Sequence, residues 1–375
     1  MRFPAIDGLR GLAILAVIYQ HAYASNLTGW LFRHGIRPFV LGDGWAGVSL
    51  FFILSGFVLS VPFIGKERSV LDLAGIRAFL KRRARRLLPL FVFISIIGFA
   101  LFRPASDFSS LLLAVSTLHM FVPSQFYPLV YGPFWSLSIE IWASVALPFL
   151  ILAAAKFGYI RVLLVIALTA LAVRLVACLP YWNDNEALAI RDSVPGRLDD
   201  FAAGMVLAWL FARGHLNPAR HWMPAAAIAF LAIGCLPIDL ANYGPIDPPR
   251  FLRAFSNQAF TIGFSLLVAY SLSDANWIGR LLGFWPLQLL GLMCFSLYSW
   301  HVVLISAMHG IDSVAGQIGF WFALLSISAF TYRYIEFPRK NSLEIFRLER
   351  RSTQEQPPTV HKSLVDANVL SPKIL

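Results

Sequence analysis

Charge is what this sequence has least of. Of its 375 residues, 31 are Lys or Arg and 20 are Asp or Glu, so only 14% are charged, against about a quarter in ordinary globular domains. That shortage excludes a water-facing globular surface over most of the chain. Cysteine is also scarce. Cys178, Cys235 and Cys294 lie in or beside apolar runs with no metal-like spacing, which indicates neither a disulfide framework nor a metal site. Repeats, alternating β patterns and a second globular segment are not apparent. No small-residue cleavage pattern follows the first apolar run, so that run reads as a span and not as a signal peptide. The net charge of +11 sits mostly in loops and the tail, where it reports topology before it reports a partner. No nucleic-acid partner is expected from it.

What the chain does have is apolar length. Hydrophobic residues make up 58% and mean hydropathy is +0.67. Runs close to the ~20 residues that cross hydrocarbon recur through most of the sequence. They predict an all-α, polytopic transmembrane helix bundle of about ten spans, near 6–24, 45–64, 86–102, 133–155, 160–179, 198–213, 222–238, 255–272, 284–309 and 316–335. The shorter run at 108–122, hemmed by Pro104, Pro123 and Pro128, suits a re-entrant or interfacial helix. With that run not spanning and the N-terminus inside, the basic loop Lys66–Arg86, Lys156 with Arg161, the turn Arg213–Arg220 and the tail from Arg339 all fall in the cytoplasm. Asn183–Asp192, Asp239, Asp247 and Asp312 fall outside. The positive-inside rule therefore favours a multi-pass inner (plasma) membrane protein with both termini cytoplasmic. Residues 1–338 form the membrane domain, which Glu336-Phe-Pro338 closes because proline stops a helix. Residues 339–375 read as a cytoplasmic tail, with an amphipathic start at Ser342–Arg351 and then disorder.

Ionisable groups inside a bilayer are costly and point to function. In the first span Arg10 and His21 are eleven residues apart. At ~100° and ~1.5 Å per residue they share one helix face, about 16 Å apart. On the expected topology His21, Glu140 of Phe134-Trp-Ser-Leu-Ser-Ile-Glu140, Arg197 and Asp199 of the sixth span, and Tyr298 with His301 of the ninth all reach the outer half or outer edge. Lys81-Arg-Arg-Ala-Arg-Arg86 lies opposite, at the cytoplasmic mouth of the third span. Histidine suits proton transfer near neutrality, as a base on a hydroxyl or as an acyl acceptor, and an arginine fork suits phosphate. A polyphosphate ligand inside and a hydroxyl-bearing acceptor outside would fit the two ends.

Six segments in order resemble one family. They are Ile6–Arg10 with His21, Gly44-Trp-Ala-Gly-Val-Ser-Leu-Phe-Phe-Ile-Leu-Ser-Gly-Phe57, Arg82-Arg83-x-x-Arg86 with Pro89, Trp135-Ser-Leu-Ser-Ile-Glu140, Arg197…Gly204 and Tyr298–His301. Together they are similar to the acyltransferase-3 family of integral membrane acyltransferases, from residue 5 to about residue 338. The resemblance implies a membrane O-acyltransferase that moves an acyl group, acetyl above all, from acyl-CoA to a hydroxyl of a carbohydrate or other envelope or exported acceptor, across the membrane. It implies His21, Arg10 and Glu140 as catalytic, and Arg82, Arg83 and Arg86 on the CoA phosphates. Arg197, Asp199, Tyr298 and His301 would shape the acceptor side. No metal is implied. Cys294-Phe295 departs from the Ser-Tyr often found before the late tyrosine. The chain is similar to the stand-alone form, with no esterase-like domain after the membrane domain.

Each residue also has a structural reading. His21 could bond another helix, and Arg10 could be a snorkelling anchor. The arginine cluster could be a topogenic flank. Glu140 could pair with an arginine, Arg197 with Asp199, and Tyr298 and His301 could be packing. His119 carries little functional signal, and the glycines of Gly44–Gly56 suit close packing. The rival function is a transporter or flippase of lipid-linked sugars, which also needs buried charge. Oligomeric state and acceptor identity are not legible.

Overall fold

The computed structural model describes residues 3–64, 72–101, 108–127, 132–216, 220–244, 248–272, 276–308 and 313–338. The tail expected at 339–375, and Lys66, Arg68, Asp247 and Asp312 of the charge pattern, lie outside the described residues. Among the described residues every regular element is helical. Helix α1 (Pro4–Tyr19) begins at a proline, whose missing N–H costs nothing in a first turn. It continues through a π turn, Gln20–Ala24, into α2 (Ser25–Arg33). Next come α3 (Gly47–Ser60), α4 (Leu73–Leu101), α5 (Phe108–Val115), α6 (Phe134–Phe157) and α7 (Tyr159–Ala177). Helix α8 (Asp184–Arg191) is fixed by a capping box between Asn183 and Glu186. Then follow α9 (Val194–Ala212), α10 (Trp222–Tyr243), α11 (Arg250–Ser271), α12 (Trp277–Leu282), α13 (Trp285–Leu292), α14 (Cys294–Ala307) and α15 (Val314–Thr331), the last ending in a second π turn, Tyr332–Glu336.

Two close crossings set the centre of the bundle. Helix α3 lies against α9 so tightly that a methyl on Gly56 would strike the Phe201 carbonyl, and one on Gly204 the Ile53 carbonyl. Helix α1 meets α13 in the same way, with Gly11 against the Leu287 carbonyl. Such small-residue contacts replace the hydrophobic driving force that helices lose in lipid. The largest apolar core joins Ile14, Val17 and Ile18 of α1 to Phe52, Phe91, Phe134, Phe201 and Leu297. It binds α1, α3, α4, α6, α9 and α14 around one axis.

Among the described residues five helices are long and apolar enough to cross a membrane: Leu73–Leu101, Phe134–Phe157, Tyr159–Ala177, Trp222–Tyr243 and Val314–Glu336. A sixth arises if α13 and α14, bent by 76° at their junction, count as one span. The protein is thus an all-helical, multi-pass membrane protein. The expected spans that do not qualify fall short for visible reasons. Helices α1 and α3 have 16 and 14 residues. Helix α9 carries Arg197, Asp199 and Asp200, and α11 is diluted by Asn257 and Gln258. The run at 108–122 forms an eight-residue helix and a short 3₁₀ turn, separated by Thr117 at φ 60°.

Candidate active site

The decisive side chain sits on an irregularity. His21 lies in the π turn, a widening of the helix often found where a functional residue must be aimed. Tyr23 of the same turn fixes it to α15, donating its hydroxyl to Gln317 Oε1 (2.5 Å) while Trp321 Nε1–H donates back to it (3.0 Å). Opposite His21 stands His301 of α14, with ring centroids 4.9 Å apart.

Their hydrogen bonds fix the tautomers when both rings are neutral. His301 Nδ1 is 2.6 Å from the Tyr298 carbonyl, which can only accept, so His301 carries its proton there. Its Nε2 lone pair then faces His21 Nδ1 at 3.3 Å. His21 Nδ1 also lies 2.9 Å from the Val17 carbonyl. Both neighbours accept, so His21 is protonated at Nδ1, and Nε2 holds the available lone pair. This is the orientation a general base needs, with a second group holding the far nitrogen.

A second centre lies deeper along the same helices. An open cavity of about 590 Å³, counting its mouth, is lined by Arg10, Arg83, Arg86, Ser55, Glu140 and Tyr298, with an apolar wall from Phe51 and Phe52. Arg83 Nη2 donates to Glu140 Oε1 at 2.7 Å and its Nε to Ser144 Oγ at 3.2 Å. The Arg86 guanidinium stacks 5.4 Å over Phe337. Arg10 lies 3.9 Å from Asp7, one turn back. Three guanidinium groups and one carboxylate on one wall make the cavity a ready receptor for a phosphate-bearing ligand. His21 is not on that wall. Tyr298 is, bonded to Ser136 Oγ at 2.6 Å, and its backbone carbonyl holds His301. Tyr298 therefore connects the cavity to the histidine pair.

Comparison with known proteins places the chain in a family. A family model described as an acyltransferase domain matches residues 3–332. The chain belongs to the acyltransferase-3 family. Among curated relatives it is 24% identical over 368 residues to "Peptidoglycan O-acetyltransferase OatA" of Listeria monocytogenes, covering 90% of this chain and 56% of that one. It is also 24% identical over 365 residues to "Putative peptidoglycan O-acetyltransferase YrhL" of Bacillus subtilis, covering 89% and 54%. The chain thus spans somewhat over half the length of the curated relatives it matches. No solved structure matches it.

The expected grouping of site residues needs correction. Glu140 does not share the surroundings of His21; it is bonded to Arg83 and lines the cavity with Arg10. The cause is the length of α4. It begins at Leu73, so Arg83 and Arg86 are turned into the bundle about three to three and a half turns along the helix. Arg82, on the other face, is exposed and lines no part of the cavity.

The Arg197–Asp199 pair does not form. Asp199 is held by both Nη atoms of Arg174, at 2.8 and 2.7 Å. Arg197 Nε bonds Asp192 at 2.8 Å, its Nη1 bonds Ser49 at 3.0 Å, and its guanidinium stacks 5.7 Å over Trp135. Both side chains are closed off from the surface. Arg191 adds a third guanidinium, bonding Asp192 at 2.5 Å. Burial alone would raise the Asp192 carboxyl, but Arg191 and Arg197 outweigh it and bring it down to about 2. Thr261 donates to Asp200 at 2.6 Å. These groups form the rigid wall behind α3 and α9, not an open binding surface.

Two residues escaped the sequence pattern. Arg174 is the arginine in the interior of the run 160–179, Arg161 lying at its start, and the rule that singled out Glu140 marks it equally. Glu336, read only as a helix end, is buried in the second π turn and accepts a 2.5 Å bond from Ser296 Oγ. His119 is buried between the Phe126 carbonyl (3.1 Å) and Ser138 Oγ (2.8 Å), with both ring nitrogens occupied. Among the described residues no group of three or more His, Cys, Asp or Glu side chains is placed to hold a metal ion.

Proposed function

We propose that the protein is a membrane-embedded O-acyltransferase that transfers an acyl group, acetyl in the first instance, from acyl-CoA to a hydroxyl of an envelope carbohydrate. The observation that carries the reading is the histidine pair set beyond an arginine-lined cavity and joined to it by Tyr298. Family membership and relatives named as peptidoglycan O-acetyltransferases support it. In this reading Arg10, Arg83 and Arg86 hold the donor's phosphates, while Glu140 keeps Arg83 in place. Arg82 serves as an outer contact at most. The pantetheine arm reaches past Tyr298. His21 Nε2 takes the proton of the acceptor hydroxyl as its oxygen attacks the thioester carbonyl. The C–S bond then breaks, and the imidazolium returns a proton to the leaving thiolate. His301 is a positioning residue that holds Nδ1 and stabilises the imidazolium. Arg197 and Asp199 act on the acceptor side only by fixing the wall that faces it.

The topology that goes with this reading has ten spans in the inner membrane and both termini in the cytoplasm. Helix α1 (with its π turn) and α3, which are short, and α9 and α11, which carry polar groups, then supply the four remaining spans. Donor and acceptor meet from opposite sides. A transporter of lipid-linked sugars needs broken helices in matched positions, and the described residues hold one bent pair.

Sealed vesicles test the proposal. Acetyl-CoA is supplied on the cytoplasmic face, and a membrane-impermeant glycan is placed on one face at a time. Acetylation of glycan on the outer face is the expected result. Acetylation only when both are on the cytoplasmic face overturns the cross-membrane mechanism, and no acetylation in either arrangement overturns the activity.

A further inference from the structure

A second polar cavity opens at the His21 end of the bundle. It is walled by Trp45, Arg191, Arg253, Asn242, Asn257 and Ile238, and measures about 610 Å³ counting its mouth. Neither the mechanism above nor the sequence pattern uses it. Its link to the histidine is short and runs through one hydrogen bond. Gln20, the residue before His21, accepts the Gly44 N–H at 2.9 Å, and Trp45 is the next residue. Trp45 is fixed in turn, because its Nε1–H donates to Asp43 Oδ1 at 2.9 Å and its ring packs edge-on to Phe260.

Three features give the cavity a ligand chemistry. Among the described residues, two arginines and no carboxylate line it. Asn257 is 1% exposed, and its Nδ2 has no hydrogen-bond partner. A buried amide N–H₂ left unpaired is costly unless something binds it. Trp45 supplies an aromatic wall, and the Arg191 and Arg197 guanidinium groups lie over its ring at 5.7 and 6.0 Å from the centroid, so charge and ring are held together. A flat apolar face beside convergent donors and positive charge suits a sugar ring that carries an anionic group.

We infer that this cavity is a subsite for a carboxylate-bearing sugar of the acceptor glycan, which the site grips while a neighbouring hydroxyl is presented to His21. The inference rests on the acyltransferase reading for the word acceptor, but not for the binding itself. Arg253 and Asn257 would take the carboxylate and ring oxygens, and Trp45 would take the ring's C–H face.

Binding to the full chain in lipid nanodiscs decides it. The probes are a hyaluronan tetrasaccharide, its carboxyl-reduced neutral counterpart and inorganic phosphate, followed by calorimetry. Wild type is expected to bind the acidic tetrasaccharide at least tenfold tighter than the neutral one and than phosphate. Arg253→Gln and Asn257→Ala are each expected to weaken the acidic tetrasaccharide at least tenfold, with a melting temperature showing that each variant is folded. Equal affinity for acidic and neutral sugars, phosphate binding as tight as the tetrasaccharide, or wild-type affinity in folded Arg253→Gln overturns the inference. Sugar binding with no acetyl transfer in the vesicle assay would instead leave the subsite standing and overturn the acyltransferase reading. Acetyl transfer without acidic-sugar preference would do the reverse.

Discussion

Two sets of arginines sit in this membrane domain, and they are built on opposite plans. Around Arg197 and Arg174 three arginines face three aspartates, Asp192, Asp199 and Asp200, and all of them except Arg191 are closed off from the surface. Every charge there has a counter-charge within the protein, and of the three arginines Arg191 alone reaches a cavity wall. Around Arg83, three arginines share a cavity wall with one glutamate, while the other carboxylates near them, Asp7 beside Arg10 and Glu336 near Arg86, lie off that wall; the three arginines are partly open. A balanced, sealed network is what a fold needs, because an uncompensated buried charge is costly. An unbalanced, open one is what an anionic substrate needs. The ratio of charges and their access to space separate structural arginines from binding ones, where residue type alone does not.

The sharpest break falls on the sealed set. Arg174→Leu leaves Asp199 as an unpaired buried carboxylate, a loss of about 3–5 kcal/mol. The expected outcome is loss of folded protein in the membrane fraction. Arg174→Leu with Asp199→Leu removes both charges and is expected to recover most of it. Fluorescence-detected size exclusion of the three proteins checks this. A single variant that folds as well as wild type would mean the pair is not sealed.

At the histidine pair the expected effect is on turnover, not folding. His21→Ala should lower acetyl transfer by about 10²–10⁴-fold, the usual span for a lost general base, with insertion near normal. His301→Leu should cost less, and His301→Gln less again, because a side-chain carbonyl can still accept from Nδ1. Wild-type turnover by a well-inserted His21→Ala protein would remove the histidine from the mechanism.

Much of this is legible in the sequence, within a limit. The spacing from Arg10 to His21 predicts one helix face for both; in the structure Arg10 is on the cavity wall, while His21 lies in the π turn beyond α1 and off that wall. Helical periodicity gives a face and a depth along its own axis. It does not say which residue of another helix stands opposite. The arginine pairing weighed for Glu140 does form, but periodicity could not name Arg83 as the partner, and Asp199 is matched to the arginine two residues away when its partner lies twenty-five away on α7. The π turns are not legible either, since an inserted residue leaves no mark on an apolar pattern. Those turns aim His21 and bury Glu336. The span count suffers from the same source. Helices α9 and α11 carry polar groups that lower their apolar count, and α1 and α3 are short because a π turn and a 3₁₀ turn interrupt their runs.

The open set can be sharpened by comparing neighbours within one motif. Arg83→Gln or Arg86→Gln should raise the KM for acetyl-CoA about tenfold or more, as a charged hydrogen bond contributes about 1.5–3 kcal/mol. Arg82→Gln, outside the cavity, should change it less than about twofold. Equal effects at all three positions would point to a topogenic cluster. Cysteine-accessibility mapping would then show misoriented spans.

The smallest effect is a pH dependence, and it tests whether balance or surplus governs a third polar cluster, in the loop that holds Trp45. Asp43 is buried and lies close to Asp239 of α10 and Cys235, with Trp45 as its donor. Burial, then the neighbouring Asp239, pushes its carboxyl up to about 6, while the Trp45 and Cys235 bonds pull the other way. A carboxyl raised above its ordinary 3.8 holds its proton more tightly folded than unfolded. Its burden on stability is therefore absent below about pH 4, grows as pH rises through 6 and is complete above it. Asp43→Asn keeps an oxygen acceptor for Trp45 and removes the ionisation. Thermal unfolding in detergent should find it more stable than wild type at pH 7.5. The gain should not exceed about 3 kcal/mol, since each tenfold change in proton affinity is worth roughly 1.4 kcal/mol. The two proteins should converge near pH 4. A difference that is constant across that window would mean that packing, not charge, sets the stability of this loop.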